Sequence, residues 1–318
     1  MSELEYDLGL LFDHRMARTN EHPFRVSRLR VSSAAREVRF SIIATGLHGA
    51  LYHVRRRLQP GWALDTSLRN VSSAVDEHNR SVYEREEIVE EFGRRAEIMA
   101  PEEYLFDSFV PDGASILDLG VGAGRTIPRL SRGAAKYIGV DYSAPMVDQC
   151  RAAHPDTDIR LLDASDLDSF DRDTFDVVVF SFNGLDYMHP AAKRAACIAE
   201  MARVIRPGGV VILSSHNARA LIRPRTGASR GLRALAIQAY ASLRQVGRAL
   251  PSRAFWQGRG YVRDSASDHV NYAVTPASAR QEFADHGFAL EAQVSSRYPA
   301  HLGPLVEPWY YYAFRRKS

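Results

Sequence analysis

Three glycines at alternate positions follow a short apolar stretch that contains a carboxylate. The run Ser115–Gly124 has the sequence SILDLGVGAG, in which Asp118 precedes Gly120, Gly122 and Gly124. A backbone without Cβ atoms can be approached closely by a ligand, and the free N–H groups at the start of a helix carry partial positive charge. The pattern therefore predicts a site for a nucleotide-like cofactor.

The spacing of these glycines distinguishes between cofactor classes. A dinucleotide-binding loop has the pattern GxGxxG, but Arg125 stands three residues after Gly122 and Ile127 stands three residues after Gly124. The sequence therefore argues against NAD. The pattern DxGxGxG instead resembles the first motif of class I S-adenosylmethionine (SAM)-dependent methyltransferases. The resemblance implies that Asp118 and the three glycines bind SAM.

Two further acids follow predicted strands in the order that this family has. The segment 136–141 is predicted as a strand that ends in an acid 23 positions after Asp118, near the spacing at which such an acid meets ribose hydroxyls. The segment 159–164 resembles the third strand of the family. The resemblance implies ribose binding by the first acid and contact with the adenine amine by the second. The predicted cofactor residues in these two segments are Asp141, Tyr142, Asp163 and Ala164.

The family places its methyl-accepting pocket after the fourth strand. Here the segment 175–181 is a continuous apolar run, typical of a strand buried on both faces of a parallel sheet. The segment 200–209 ends in Pro-Gly-Gly and is similar to the family's next signature. By this resemblance Ser181 and Asn183 contact the cofactor and Tyr187 contacts the acceptor. The resemblance also implies that Tyr83, in the chain before the core, folds over SAM.

Strands and helices alternate from 115 to 215, which predicts βαβ units around a parallel sheet. The resemblance implies an α/β fold with a doubly wound, mainly parallel sheet of seven strands, the last of them antiparallel. We expect residues 1–75 to form an N-terminal extension of unknown fold and residues 76–318 to form the methyltransferase domain. Within that domain, residues 217–274 are expected to be a basic helical insertion after strand five that covers the acceptor.

The methyl group of SAM is already activated by its sulfonium, so the protein mainly has to hold the acceptor in line behind it. An amine acceptor needs a free lone pair, whereas a hydroxyl benefits from a general base with a pKa near neutral. His216 ends the fifth predicted strand, at the carboxyl edge where α/β sites lie. It is the first candidate for this base, followed by Asp186 and His189. A structural histidine bound to backbone is the alternative for His216.

Acceptor specificity is expected in the insertion, which mixes hydrogen-bonding and aromatic groups suited to a polyhydroxylated or phosphorylated ligand. The candidates are Arg259, Tyr261, His269 and Tyr272. The sequence therefore favours methyl transfer to a hydroxyl of a sugar or of a carbohydrate-containing intermediate. An N-methyltransferase acting on an amino sugar or a natural-product amine is one alternative. A noncatalytic SAM-binding or scaffold protein is the other, although the intact glycine motif and the two acids argue against it.

A basic stretch of 47 residues, 217–263, contains ten arginines and no aspartate or glutamate. Within it, 232–250 has the pattern of an amphipathic helix, with leucines on one side and Arg233, Arg244 and Arg248 on the other. One interpretation is a lid helix packed on the core with its arginines in water. The others are recognition of an anionic acceptor and peripheral contact with an anionic membrane. Nucleic acid is not expected as a partner, because no known RNA-binding module accompanies the arginines.

Composition sets the remaining limits. Hydrophobic residues make up 45% of the 318 residues, which is enough for a large core. The two cysteines, Cys150 and Cys197, suggest neither a disulfide framework nor a zinc site. Some members of the family that the sequence resembles hold magnesium with acids around these loops. Here strand four ends in Ser-Phe-Asn rather than a carboxylate, so no metal is expected.

The sequence also bears on localisation. Its start lacks the basic-then-apolar order of a signal peptide, and the uncharged run 40–54 is shorter than the roughly 20 residues that span a bilayer. We therefore expect a cytoplasmic protein, with membrane contact at most peripheral. Nothing in the sequence indicates an oligomeric state.

Overall fold

The computed structural model describes residues 62–64, 73–94, 97–220, 239–240, 242–243, 246–247, 249–264, 269–301 and 303–318. The strands of this part are β1 (Trp62–Leu64), β2 (Ser115–Leu119), β3 (Lys136–Asp141), β4 (Asp158–Leu161), β5 (Phe175–Phe180), β6 (Ile205–His216), β7 (Arg259–Asp264), β8 (Val270–Val274), β9 (Phe288–Ser295) and β10 (Trp309–Arg316). Its helices are α1 (Ser73–Tyr83), α2 (Glu86–Gly93), α3 (Ala100–Phe109), α4 (Ile127–Leu130), α5 (Ala144–Ala153), α6 (Ala191–Val204), α7 (Arg253–Gln257) and α8 (Pro276–Ala284). A turn of 3-10 helix, Gly184–Tyr187, follows β5.

The central sheet has the strand order β4-β3-β2-β5-β6-β10-β9. The strands from β4 to β6 are parallel, and β10 runs antiparallel to both of its neighbours. This topology confirms the predicted doubly wound sheet with an antiparallel last strand. Because the parallel strands point the same way, the loops that follow them meet at one edge of the sheet, where α/β proteins bind ligands.

Two apolar layers cover the faces of this sheet. Leu117 and Leu119 of β2 pack in one layer with α6 and α8, whereas Ile116 packs in the other with α3. Neighbouring side chains of one strand thus reach opposite layers, which explains the continuous apolar runs of the parallel strands. Phe283 stacks on Phe314 with ring centroids 4.1 Å apart and joins α8 to β10. Burial of one such side chain contributes about 1.5–3 kcal/mol.

The insertion differs from the expected helical lid. Its described part contains the antiparallel hairpin β7–β8 and the short helix α7, besides helical residues between 239 and 249. A hairpin forms here because 259–264 and 270–274 are rich in aromatic and β-branched residues. β8 joins the central sheet through a parallel bridge between His216 and Ala273.

The expected N-terminal extension supplies a strand to that hairpin, since β1 pairs antiparallel with β7. The compact unit that contains both strands begins at Gly61, before the predicted boundary at residue 76. Strand pairing over such a sequence distance leaves no local signal. Residues 1–60 lie outside the described residues. Their predicted role as an extension stays a prediction.

Candidate active site

The loop after β2 brings the glycine motif to the carboxyl edge of the sheet. Gly122 has φ +56°, a left-handed conformation that favours glycine. A Cβ at this position would have Phe92 Cδ1, at 3.9 Å, as its nearest neighbour. At Gly124, in contrast, a Cβ would lie 2.6 Å from the His154 ring. Gly122 therefore leaves room for a ligand in front of the loop, whereas Gly124 allows packing behind it.

Asp141 at the end of β3 is tied to the glycine loop. Its Oδ2 accepts a hydrogen bond from the Gly122 N–H at 2.9 Å, and its Oδ1 accepts one from the Ser143 N–H at 2.9 Å. Burial raises the pKa of this carboxyl above its ordinary value, against the opposing effect of these backbone donors. Each oxygen has a further lone pair that can accept from a hydroxyl. The carboxylate therefore suits the predicted contact with ribose.

A pocket with about 720 Å³ of empty space, its open mouth included, lies in front of this edge. The predicted cofactor and acceptor residues that line it are Gly120, Gly122, Asp141, Tyr142, Asp163, Ala164, Ser181, Tyr83 and Tyr187. Residues that sequence analysis did not single out also line it, among them Asp76, Phe92, Phe182, Gly184 and Met188.

An ion cluster that the sequence did not reveal forms one wall of the pocket. Lys193 Nζ lies 2.7 Å from Asp163 Oδ2 and 2.6 Å from Asp76 Oδ2. Burial opposes ionisation of Asp163, but Lys193 and Ser165 outweigh it and hold the pKa of Asp163 below its ordinary value. The cluster keeps a carboxylate charged on the wall and ties α1 to the segment after β4. Its members are too distant in sequence to form a motif.

Aromatic rings from α1, α2 and the loop after β5 form a second wall. Tyr83 contacts Tyr187 and Phe92 edge-on, with centroid distances of 5.3 and 5.7 Å, and Phe92 contacts Phe182 at 6.1 Å. Burial, and then Tyr187, raise the pKa of Tyr83 well above its ordinary value, so its hydroxyl stays protonated. We call Tyr83, Phe92, Phe182 and Tyr187 the aromatic wall. The helical spacing of Phe92 and its aromatic ring could have indicated it as a pocket residue. Its contact with Phe182 could not be predicted, because the two residues are far apart in the sequence.

Asp118 lies behind the glycine loop and does not line the pocket among the described residues. Its Oδ2 accepts hydrogen bonds from the Thr126 hydroxyl and, at 2.7 Å, from the Tyr137 hydroxyl. Burial raises the pKa of Asp118 to about 6, although both hydrogen bonds oppose this. The carboxyl therefore fixes the loop to the start of α4 and to β3. This placement corrects the expectation of direct cofactor contact, because a motif shows spacing but not the direction of a side chain.

His216, the predicted base, is buried with Asp186 beneath the 182–187 loop. Its Nδ1 lies 2.8 Å from Asp186 Oδ2, which also accepts the His216 backbone N–H at 2.7 Å. The other Asp186 oxygen accepts from Ser215 Oγ at 2.6 Å and from Arg194 at 3.2 Å. Both oxygens of this buried carboxylate are thus held by side chains and backbone of the protein. Asp186 is therefore placed to position the loop rather than to act as a base.

Asn183 stands between this buried pair and the loop residues that line the pocket. Its Nδ2 lies 3.4 Å from His216 Nε2, and its backbone N–H donates to Ser214 Oγ at 2.8 Å. Among the described residues that line the pocket, Asn183, Asp186 and His216 are absent. The predicted cofactor contact by Asn183 and base role of His216 therefore stay predictions, because neither side chain lines the pocket in the described residues.

His189 and the predicted acceptor residues of the insertion also stand off the pocket wall. His189 Nε2 lies 2.8 Å from the Val270 carbonyl oxygen of β8, and burial lowers the pKa of this histidine. Tyr261 and Tyr272 pack against each other with centroids 5.5 Å apart, because the hairpin turns them towards its own apolar cluster. His269 reaches the aromatic wall by stacking on Tyr83 at 4.7 Å. Arg259 is exposed.

Comparison with known proteins identifies the centre of this site. Residues 116–209 match a family described as a methyltransferase domain, and the strand order agrees with the class I fold. Residues 116–209 therefore form a methyltransferase domain. A SAM-dependent methyltransferase of Methanosarcina mazei has a similar fold, with a TM-score of 0.50, 16% identity and coverage of 67% of this chain and 97% of that one.

Curated relatives of the methyltransferase domain differ in what their names describe. A phosphatidylethanolamine N-methyltransferase of Cereibacter sphaeroides is 37% identical over 113 residues, which cover 34% of this chain and 53% of that protein. The cypemycin N-terminal methyltransferase of a Streptomyces species is 31% identical over 102 residues, with coverage of 32% and 42%. A carboxy-SAM synthase of Haemophilus ducreyi is 31% identical over 118 residues, with coverage of 35% and 47%. The chain thus spans about half the length of these relatives.

The pocket fits the cofactor of this domain, SAM. Gly122 leaves the loop open, Asp141 would hold the ribose hydroxyls and Asp163 would face the adenine amine. Beside them, Arg125 forms two hydrogen bonds with Glu102, at 2.7 and 2.8 Å, and lines an adjoining cleft with the glycine loop. This ion pair links the glycine loop to α3. No sequence motif contains both residues, so the pair was not predictable from the sequence.

The described residues also bear on metal clusters, free thiols and helices that could span a membrane. In the described ranges, no three His, Cys, Asp or Glu side chains form a cluster that could hold a metal ion. Cys150 and Cys197 are buried and free, and burial raises the pKa of the Cys150 thiol to about 12. None of the described helices is long and apolar enough to cross a membrane.

Proposed function

We propose that this protein transfers the methyl group of SAM to an amine nitrogen of a small acceptor. When bound, SAM supplies a methyl group that its sulfonium has already activated. The residues of the pocket then have to hold the acceptor nitrogen in line behind that methyl and to exclude water. The observation that carries the choice of nitrogen is the aromatic wall, together with the protein donors that already bind the carboxylates lining the pocket, Asp76, Asp141 and Asp163.

Aromatic faces attract cations, with estimates of about 0.5–2 kcal/mol per interaction. The nitrogen of an amine becomes positively charged as the methyl group arrives, so a ring beside it stabilises the transition state more than the ground state. Tyr83 and Tyr187 line the pocket where α1 meets the 182–187 loop, and their rings are 5.3 Å apart. Both the phosphatidylethanolamine and the cypemycin enzymes carry amine methylation in their names, which supports this proposal.

A hydroxyl acceptor would instead need a group that takes its proton. The carboxylates on the pocket wall are poor candidates, because Asp76 and Asp163 are both bound to Lys193. Asp141 is occupied by two backbone donors, and His216 is buried behind the loop. The sugar hydroxyl favoured by the sequence therefore ranks second.

Paired acceptors test the proposal. Glucosamine, glucose, ethanolamine, ethylene glycol and phosphatidylethanolamine would be offered with SAM, and release of S-adenosylhomocysteine would be measured. We expect turnover with at least one amine and none with its hydroxyl counterpart. Turnover with glucose but not glucosamine would establish the sugar hydroxyl instead. SAM binding without turnover on any acceptor would favour the noncatalytic alternative.

A pair of variants tests the role of the ring. Tyr187→Phe keeps the aromatic face, whereas Tyr187→Leu removes it and keeps an apolar side chain. If the ring stabilises charge on nitrogen, Tyr187→Leu should lower kcat by about 2- to 30-fold, from one lost cation–π contact, and Tyr187→Phe should stay close to wild type. Equal rates for the two variants would refute this part of the proposal.

A further inference from the structure

Four exposed apolar side chains lie close together in the sequence of the insertion. Tyr240, Leu243, Leu250 and Trp256 are 52%, 71%, 44% and 64% exposed. We call these four residues the apolar strip. Single exposed apolar residues are normal on a protein surface, but a group of large ones within one short segment is typical of an interaction surface.

The strip includes part of the helix face that was expected to pack on the core. Leu243 and Leu250 belong to the apolar side of the predicted 232–250 helix, yet both are exposed. The packed side of this segment instead carries Ala249, which is 1% exposed and contacts Phe255. Trp256 Nε1 donates a hydrogen bond to the Leu250 carbonyl oxygen at 2.7 Å, which holds the indole beside the end of the segment. The lid-helix interpretation therefore does not account for the described residues.

The charge around the apolar strip points to the kind of surface that it meets. The basic stretch 217–263 has ten arginines and no acid, so it presents an uncompensated positive potential. Arg253 and Arg259 are exposed in the described part. Arg233, Arg244 and Arg248 lie outside the described residues.

Exposed leucine with tryptophan, tyrosine and flanking arginine is the composition of segments that lie in a bilayer interface. We propose that the insertion docks on the surface of an anionic lipid bilayer through the apolar strip, with Arg253 and Arg259 at the lipid phosphates. The apolar side chains would enter the headgroup region while the charges remain in water.

Vesicle cosedimentation of the full-length chain tests the proposal. The vesicles contain phosphatidylcholine alone or phosphatidylcholine mixed with phosphatidylglycerol. The strip variant is Leu243→Asn with Trp256→Asn, and the matched control is Leu161→Asn with Leu305→Asn, which changes two leucines that are 50% and 44% exposed elsewhere. We expect binding to the anionic vesicles only, weakened at least about tenfold by the strip variant and unaltered by the control.

Salt and fluorescence give independent measurements. Binding should weaken as ionic strength rises, because surface charges are screened over about 8 Å at physiological salt. Tryptophan emission should shift to the blue on anionic vesicles, and Trp256→Phe should abolish most of that shift. SAM affinity, measured by calorimetry, should be the same in all of these variants, which separates membrane docking from the proposed methyl transfer.

Three results would overturn the proposal. If wild type and the strip variant bind anionic vesicles equally well, the apolar strip has no role in docking. A change of oligomeric state in the strip variant, seen by light scattering without vesicles, would make the strip an interface between copies of the chain. Unaltered vesicle binding together with a raised KM for a soluble acceptor, after Arg233, Arg244 and Arg248 are changed to glutamine, would assign the basic stretch to acceptor recognition.

Discussion

Replacement of Gly122 by valine should abolish SAM binding and leave the fold largely intact. Gly122 has φ +56°, where a residue with a Cβ costs about 1–2 kcal/mol in the folded state. The new side chain would project in front of the loop, where Phe92 is the nearest neighbour within 4 Å. It would also strain the hydrogen bond from the Gly122 N–H to Asp141, which is 2.9 Å long. The variant therefore combines a modest stability loss with a blocked pocket.

The size of the binding defect follows from these contacts. A hydrogen bond to a charged acceptor contributes about 1.5–3 kcal/mol, and each 1.4 kcal/mol is about a factor of ten in Kd. Loss of one hydrogen bond from a ribose hydroxyl to a displaced Asp141 carboxylate would thus weaken SAM binding by roughly tenfold to more than a hundredfold. The side chain in the pocket adds to this, so we expect a Kd for SAM at least about a hundredfold above wild type in isothermal titration calorimetry.

Gly113→Val is the matched control. Gly113 also has a left-handed φ, +76°, and no atom lies within 4 Å of a Cβ built there. A valine at position 113 is strained by the same left-handed backbone conformation, but it lies away from the pocket. Thermal unfolding should therefore show similar losses of stability for the two variants, and only Gly122→Val should lose SAM. A Kd for Gly122→Val close to that of Gly113→Val would refute the assignment of the glycine loop to the cofactor.

Three other predictions concern the buried charges. Burial raises the folded-state pKa of Asp118 to about 6 from its ordinary value of 3.8, so wild type should lose stability as pH rises between these values. In urea unfolding, Asp118→Asn should gain on the order of 3 kcal/mol relative to wild type over that interval. Parallel curves of stability against pH for the two proteins would contradict this. His216→Gln should cost about 1–3 kcal/mol of stability but keep the shape of the pH–rate profile, whereas loss of its acid limb would restore His216 as the base. Lys193 holds the pKa of Asp163 down against burial, so the stability that this ion pair contributes is present at neutral pH and lost on acidification. Lys193→Met should therefore cost about 1–2 kcal/mol of stability at pH 7 and less at pH 3. An equal cost at both pH values would show that the ion pair does not contribute this stability.

Features encoded by neighbouring residues were predictable from the sequence. The glycine motif and the two strand-end acids needed only spacing, because each motif is a short stretch of backbone with its own conformational demand. The cap of α8 is of the same kind, with Thr275 Oγ1 accepting from the Ser278 N–H at 3.3 Å. The apolar runs likewise predicted the parallel strands, since burial on both faces leaves a continuous apolar signal.

Contacts between distant segments were decided only by the tertiary structure. The pairing of β1 with β7, the Asp76–Lys193–Asp163 cluster and the burial of His216 beside Asp186 all join residues that no local pattern links. The apolar pattern of 232–250 showed that a helix has two sides but not which of them faces the core. A sequence specifies the chemistry of each side chain, whereas its direction and its neighbours depend on how the whole chain packs, and these decide whether an acid binds a ligand, holds a loop or acts as a base.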